Sequence, residues 1–116
     1  MIVDDSTVIR TIIGGVLRGL NVEIVAEAGN GPDALELFEQ HRPDFVTMDI
    51  TIPEIDGMTC LKEILKRKPD TRVLMITAVS DKAVAMSAME AGAAGFLNKP
   101  VSPSALKEAV ERILKK

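Results

Sequence analysis

The amino-acid sequence predicts an α/β domain built on a doubly wound, parallel five-stranded sheet. Short runs of β-branched and other apolar residues alternate along the chain with five segments whose apolar residues recur at helical spacing. The strand-type runs are apolar almost throughout, as is typical of parallel strands that are buried on both faces. Because crossovers between parallel strands are right-handed, we expect helices on both faces of the sheet.

Five short runs predict the strands. The first is a stub that ends at an acid pair, and the second is short and rich in β-branched residues. The third is an apolar run that ends before Pro53 and Gly57, which break regular structure. The fourth and fifth are the runs RVLMIT and GFLN. The predicted strands are 1–3, 21–28, 44–49, 72–77 and 95–98.

The helices are predicted from apolar residues three and four positions apart and from residues that favour a helix start. Asp5 or Ser6 is available to cap the first helix, and Pro32 fits the first turn of the second, after a turn at 29–31. Ser102 or Ser104 begins the last helix. The predicted helices are 6–20, 32–40, 58–68, 81–91 and a segment from 102 or 104 onward. The strand order 2-1-3-4-5 is taken from flavodoxin-like sheets, which have this succession of elements.

The composition indicates one domain over residues 1–116 and excludes several classes of function. Lys and Arg number 14 and Asp and Glu 17, so the net charge of −3 offers no basic surface for nucleic acid or anionic lipid. Without Trp or Tyr, a base-stacking platform is not expected. A single Cys excludes an internal disulfide and multi-cysteine zinc sites. With no signal peptide and no apolar run of membrane-spanning length, we expect a cytoplasmic monomer that does not insert into a membrane.

Polar side chains follow four of the predicted strands at the point where each strand ends. They are Asp4 and Asp5 after the first strand, Asp49 at the end of the third, Thr77 at the end of the fourth and Lys99 after the fifth. Each has an ordinary explanation alone, such as a helix cap or a lysine that reaches water. Because the carboxyl ends of parallel strands meet at one edge, where ligands bind in such sheets, we expect these residues to lie together.

This set of side chains suits phosphoryl transfer. Three neighbouring carboxylates repel one another unless a cation joins them, and Mg²⁺ prefers such oxygen ligands. A lysine ammonium and a threonine hydroxyl can hold phosphoryl oxygens by charge and by a hydrogen bond. A carboxylate nucleophile, a metal and such clamps are the parts that phosphoryl transfer requires.

The runs VDDS, DFVTMDITIPEIDG, MITA and AGFLNKP resemble the receiver domain of two-component response regulators, the CheY-like family, over the entire chain. The resemblance implies that Asp49 is the phosphoacceptor and takes a phosphoryl group from the phosphohistidine of a sensor histidine kinase. It implies Mg²⁺, with Mn²⁺ as a substitute, as the cofactor. The implied metal ligands are Asp4, Asp5, Asp49 and the backbone carbonyl of Thr51, and the implied phosphate-binding residues are Thr77, Ala78 and Lys99.

The resemblance also implies a conformational switch. Phosphorylation would draw Thr77 toward the phosphoryl group, and Phe96, where the family often has Tyr, would move into the space beside it. The surface of the fourth helix, fifth strand and fifth helix would then change its affinity for a downstream effector protein. The Lys99–Pro100 peptide bond is expected to be cis. The fourth helix is rich in small residues and Met, which either repack in this switch or belong to the core: Ala83, Ala85, Met86, Ala88, Met89 and Ala91.

Alternatives to a stand-alone or chemotaxis-type regulator stay open. The domain could be excised from a longer regulator or hybrid kinase, or could be a receiver that only binds partners, although the intact set at Asp49, Thr77 and Lys99 argues against the last. We expect no enzymatic activity beyond self-catalysed phosphotransfer and autodephosphorylation. A phosphohydrolase would need an acid at position 51, where this chain has Thr51. A flavodoxin would need a Ser/Thr-rich phosphate loop after the first strand, where this chain has VDDS.

The remaining singular residues are expected to be structural. His41 is the only histidine and is interpreted as lying at a helix C-terminus, where the helix dipole favours it. Cys60 is interpreted as a small buried apolar residue. Only three residues precede Asp4, so the central strand is short and leaves ladder groups of its neighbours partly unpaired. Either the start of the chain is truncated or reassigned, or the protein tolerates a weakened sheet.

Overall fold

The computed structural model describes residues 1–78 and 82–115. Within this part of the chain five strands form one parallel sheet in the order β2-β1-β3-β4-β5, so the predicted fold class and strand order are confirmed. The strands are β1 (Ile2–Val3), β2 (Glu27–Ala28), β3 (Phe45–Asp49), β4 (Arg72–Thr77) and β5 (Gly95–Asn98). The helices are α1 (Thr7–Gly19), α2 (Gly31–His41), α3 (Gly57–Arg67), α4 (Lys82–Glu90) and α5 (Pro103–Leu114).

The central strand β1 is only two residues long. Its ladder is extended by Met1, whose amino group donates to the Phe45 carbonyl at 2.9 Å and whose carbonyl accepts from Thr47 N at 3.0 Å. The predicted range of the second strand, 21–28, is wrong, because β1 lies alongside only the last residues of this segment: Ile2 N donates to Ala26 O at 3.1 Å. A β-branched run without a neighbouring backbone to pair with does not form a ladder.

Polar caps set the helix starts. The N-cap of α1 is Ser6, whose hydroxyl accepts from Ile9 N, and not Asp5. The turn at 29–31 supplies Asn30 as the N-cap of α2, so this helix begins one residue before the predicted Pro32. Ser102 caps α5. The predicted start of the fourth helix at residue 81 lies outside the described residues.

The core consists of two layers, one on each face of the sheet. One layer is covered by α2, α3 and α4 and contains Phe38, Met48, Leu61, Ile64 and Ala88. The other is covered by α1 and α5 and contains Ile13, Leu17, Leu74, Leu106 and Val110. The small-residue stripe of α4 does not pack in the core as a unit, because only Ala88 of α4 is buried. Met86 and Met89 are 61% and 47% exposed.

No described helix combines the length and the apolar character needed to cross a membrane. His41 is the last residue of α2 and is exposed, near the start of β3 and thus at the amino edge of the sheet. Cys60 is fully buried on α3, as expected. Burial and the nearby charge of Asp56 raise the pKa of its thiol to about 11, which leaves it protonated and unreactive.

Candidate functional site

Three carboxylates gather at the carboxyl edge of the sheet, where β1 and β3 end. Asp4, Asp5 and Asp49 each place one carboxylate oxygen within 4.8 Å of the others. Asp4 and Asp49 are 1% and 2% exposed, whereas Asp5 is open to solvent. The parallel topology causes this convergence, because β1 and β3 are neighbours with Val3 in register with Met48. The site therefore has two buried acids and one accessible acid.

The ammonium of Lys99 joins the two buried acids. Its Nζ lies 2.9 Å from Asp4 Oδ2 and 3.0 Å from Asp49 Oδ2. The backbone N–H of Lys99 donates to the Thr77 carbonyl at 2.8 Å, which continues the pairing of β5 with β4 for one residue. The peptide bond between Lys99 and Pro100 is cis. One lysine thus balances part of the charge of three carboxylates.

The pKa values of the pair respond to burial and to each other. Burial raises the pKa of Asp49, the hydrogen bond from Lys99 opposes this rise, and the charge of Asp4 adds to it. Burial lowers the pKa of Lys99, but hydrogen bonds to Asp4 and Asp49 outweigh that effect, so the lysine pKa is raised. The lysine is therefore held in its charged form.

The second oxygen of each buried carboxylate is held by a local turn. Asp49 Oδ1 accepts from the Thr51 N–H at 3.2 Å and lies 3.4 Å from the Thr51 hydroxyl. Asp4 Oδ1 accepts from the Ser6 N–H at 2.9 Å. In both cases the donor is two residues further along the chain, the arrangement of an Asx turn. Asp49 is thus held at both oxygens by hydrogen bonds, whereas Asp4 Oδ2 has only the ion pair with Lys99.

Thr77 and Phe96 lie on the neighbouring strands β4 and β5, and Ala78 directly follows β4. Thr77 is the buried last residue of β4, in register with Asn98, and Ala78 after it is exposed. Phe96 is half-buried, packs against the core layer covered by α4, and is in register with Met75, two residues before Thr77. Because side chains alternate along a strand, Thr77 and Phe96 face the same side of the sheet.

Two contributors to the site were not predicted from the sequence. Gly57 begins α3 against the end of β3, where a Cβ would overlap the Asp49 carbonyl oxygen and lie 2.6 Å from Ile50 Cα. Arg10 on α1 donates from Nη1 to the Asp4 carbonyl oxygen and pairs through Nε with Glu27 at 3.3 Å. Asp56 is the N-cap of α3, and a glycine directly after such a capping residue was an available sequence signal. No sequence signal indicated the direction in which the Arg10 guanidinium points.

The donor set fits a hard divalent cation. Its three carboxylates offer oxygen ligands, two of them are already oriented by backbone hydrogen bonds, and their charge exceeds what Lys99 supplies. Mg²⁺ prefers such oxygen ligands and binds through one or two carboxylates together with waters and phosphate. The residues present therefore fit Mg²⁺.

The comparisons with known proteins agree with this fold. A family model described as the response regulator receiver domain matches residues 1–111. The chain is 41% identical over 114 residues to the chemotaxis protein CheY of Bacillus subtilis (strain 168), covering 98% of this chain and 95% of that protein. It is 36% identical to CheY of Thermotoga maritima, covering 99% and 96%.

Two further matches widen the comparison. A chain of the CheX–CheY–BeF3–Mg²⁺ complex from Borrelia burgdorferi superposes with a TM-score of 0.94 at 31% identity, covering 99% of this chain and 87% of that one. The transcriptional regulatory protein PdtaR of Mycobacterium tuberculosis (strain H37Rv) is 39% identical over 111 residues, which are 96% of this chain and 54% of that protein. The chain belongs to the response regulator receiver domain family of two-component signalling, and it is CheY-like.

Proposed function

We propose that this chain is a phosphoacceptor switch in which Asp49 receives a phosphoryl group from the phosphohistidine of a sensor histidine kinase in an Mg²⁺-dependent reaction. The observation that carries the proposal is the buried Asp49 carboxylate, which shares one ammonium with a second buried acid at the carboxyl edge of the sheet. The domain 1–116 acts as a cytoplasmic monomer in this proposal.

The carboxylate of Asp49 is the nucleophile. One of its oxygens forms a bond to phosphorus as the bond between phosphorus and the donor's histidine nitrogen breaks, and that nitrogen keeps the electron pair. Lys99 stays beside the product, where its ammonium offsets the charge of the phosphoryl oxygens. Thr77 donates from its hydroxyl and Ala78 from its backbone N–H to the other oxygens.

Mg²⁺ would be held by Asp4, Asp5, Asp49 and the backbone carbonyl of Thr51, and when bound it neutralises the charge that develops on the phosphoryl oxygens. Asp4 and Asp49 keep their orientation for this through the Ser6 and Thr51 N–H groups. Burial of both carboxylates keeps bulk water from screening their charge, so each attraction to a cation is stronger than it would be at the surface.

The output surface in this proposal is formed by α4, β5 and α5. When Thr77 turns toward the phosphoryl group, the half-buried Phe96 on the same side of the sheet moves toward the space it leaves. This Phe has no hydroxyl, so the switch acts through packing alone. The exposed Met86 and Met89 on α4 provide a soft apolar surface that suits a downstream effector protein.

The intact Asp49–Lys99 pair supports a phosphorylated receiver over one that only binds partners. The CheY relatives, which the chain matches nearly end to end, favour a chemotaxis-type regulator. PdtaR, of which the chain spans 54%, favours the alternative of a receiver within a longer regulator. Both alternatives share the same chemistry at Asp49.

Intact mass after incubation with acetyl phosphate tests the proposal. Wild type is expected to gain one phosphoryl group with Mg²⁺ and none without it. Asp49→Ala is expected to gain none, and Asp70→Ala, which changes an exposed aspartate in an ion pair with Lys68, is expected to behave like wild type. A folded wild type that gains no phosphoryl group in the presence of Mg²⁺ would contradict the proposal.

A further inference from the structure

We propose that Arg10 is a positioning residue for the Asp4–Asp5 acid pair: its guanidinium ties the end of β1 to β2 and so fixes the two carboxylates for a divalent cation. The inference rests on the proposed function, because it takes this acid pair as the Mg²⁺ site. It assigns an effect on cation affinity to Arg10, which is not itself one of the proposed metal ligands.

Arg10 joins three elements through one side chain. Its Nη1 donates to the carbonyl oxygen of Asp4, and its Nε pairs with Glu27 Oε1 at 3.3 Å across to β2. A weaker contact of 3.5 Å joins Nη2 to the Thr7 hydroxyl on α1. The Arg10 side chain is only 20% exposed, so these contacts are partly shielded from water. A planar guanidinium presents five N–H donors in a rigid fork, whereas a lysine ammonium presents its three donors from a single point.

The Asp4 carbonyl lies where the sheet stops supporting the chain. Asp4 N still donates to Ala28 O at 3.0 Å, but β2 ends at Ala28 and the chain turns away at Gly29. A carbonyl at such a point needs a donor from another source, and Arg10 supplies one. Since β1 has only two residues, its ladder fixes the following acid pair less firmly than a long strand would.

Arg10 holds both ends of the turn that carries the acids. Its side chain donates to the Asp4 carbonyl, and its backbone N–H donates to the Ser6 carbonyl at 3.0 Å. The Ser6 N–H in turn orients the Asp4 carboxylate at 2.9 Å. Asp5 lies between these two anchors. The backbone bond to Ser6 is the first i→i−4 bond of α1 and would remain with another residue at position 10, so only the tie to the Asp4 carbonyl depends on the Arg10 side chain.

The turn after β2 leaves room for this guanidinium. A Cβ at Gly29 would lie 3.2 Å from Arg10 Nη1 and 3.9 Å from the Asp4 carbonyl oxygen. At the first of these separations the end of the guanidinium would have to shift by a few tenths of an ångström. Gly29 and Arg10 therefore fit each other, and Gly29→Ala should disturb the tie without changing any charge.

Isothermal titration with MgCl₂ of the phosphoryl-free protein tests the inference. Arg10→Met and Arg10→Lys are both expected to raise the Mg²⁺ dissociation constant by about tenfold, as the loss of an outer-shell partner typically does. Arg18→Met, the same change two turns further along α1, should leave it unchanged. The half-saturating Mg²⁺ concentration for phosphorylation by acetyl phosphate should rise by the same factor, whereas the rate at saturating Mg²⁺ should stay near that of wild type.

Each other outcome overturns the inference in a recognisable way. Wild-type affinity in Arg10→Lys, or tighter binding in Arg10→Met, would mean that only the charge of Arg10 matters. If Arg10→Met does not fold, Gly29→Ala decides: unchanged Mg²⁺ affinity and unchanged hydrogen exchange of the Ser6 amide in the metal-free protein would overturn the inference. If the wild type binds no Mg²⁺, both the inference and the proposed cofactor are overturned. If the wild type binds Mg²⁺ and the Arg10 variants bind it with the same affinity, only the role of Arg10 is overturned.

Discussion

The ammonium of Lys99 and the carboxylate of Asp49 form an ion pair, with Nζ and Oδ2 3.0 Å apart across 50 residues of sequence. The same Nζ lies 2.9 Å from Asp4 Oδ2, so one lysine separates two buried acids that would otherwise face each other. In the metal-free protein the Lys99 ammonium therefore neutralises part of the negative charge of these two carboxylates. This relationship determines how the site responds when the lysine is removed.

Lys99→Met is expected to destabilise the metal-free protein by about 3 kcal/mol, because removing one partner of a buried pair leaves uncompensated charge. Mg²⁺ should restore part of this loss, so that it stabilises the variant more than it stabilises wild type. Urea unfolding with and without Mg²⁺ measures both effects. Lys68→Met is the matched control, since Lys68 pairs with the exposed Asp44 and Asp70 and such pairs contribute little. Equal stabilities of the two variants would contradict the prediction.

The buried amino group of Met1 gives the 116-residue chain a pH-dependent stability. Burial lowers the pKa of this amine from 8.0 to about 6. Between those values the unfolded chain binds a proton that the folded chain does not, so stability should rise as pH increases from 6 to 8. Two pKa units correspond to up to about 2.7 kcal/mol.

Urea unfolding at pH 6 and at pH 8 measures this rise. N-terminally acetylated protein is the control, because its amide N–H can still donate to the Phe45 carbonyl but carries no titrating charge. The difference between the two samples isolates the amine, since every other titrating group is common to both. A rise of equal size in the acetylated protein would assign the effect to other groups.

Elements were predicted well where the sequence pattern and the pairing partners agree. The bounds of β4 and β5 match the prediction to the residue, because each has a neighbouring strand along its whole length. The second strand was predicted eight residues long and has two, because β-propensity does not report whether a partner strand is present.

The site shows the same division. Asp4, Asp49 and Lys99 could be grouped from the sequence because each ends or follows a strand, and parallel topology brings strand ends together. The tie from Arg10 could not, because it depends on the direction of a flexible side chain on a neighbouring helix. The α4 methionines could not be assigned either, because Met is common both in cores and at exposed binding surfaces.

Thr47→Val is expected to stabilise the protein by about 1 kcal/mol. Thr47 lies in the middle of β3 between Ile2 and Leu74, is 1% exposed, and its hydroxyl has no hydrogen-bond partner among the described residues. Valine has the same shape without the buried, unsatisfied hydroxyl, so the desolvation cost disappears. Thermal and urea unfolding measure the change, and Thr59→Val at an exposed helix position serves as the control. A loss of stability in Thr47→Val would indicate a partner for the hydroxyl.

Glycine-to-alanine substitutions at two helical positions should have opposite effects. In α1, a Cβ at Gly15 would meet nothing within 4 Å, so Gly15→Ala should stabilise the protein by about 1 kcal/mol through helix propensity. At Gly57 the same Cβ would overlap the Asp49 carbonyl and approach Ile50 Cα, which are backbone atoms of β3 and of the loop that follows it.

Gly57→Ala should therefore cost about 3 kcal/mol and displace Asp49, because rigid backbone atoms cannot yield as a flexible side chain could. Urea unfolding measures both free energies, and phosphorylation by acetyl phosphate in saturating Mg²⁺ separates a local effect from a global one. Gly15→Ala should react at the rate of wild type. Gly57→Ala should react more slowly even at temperatures where it is fully folded, since the displaced carboxylate loses its alignment with Lys99 and the Thr51 amide. A Gly57→Ala protein that is as stable and as reactive as wild type would mean that the start of α3 does not set the position of Asp49.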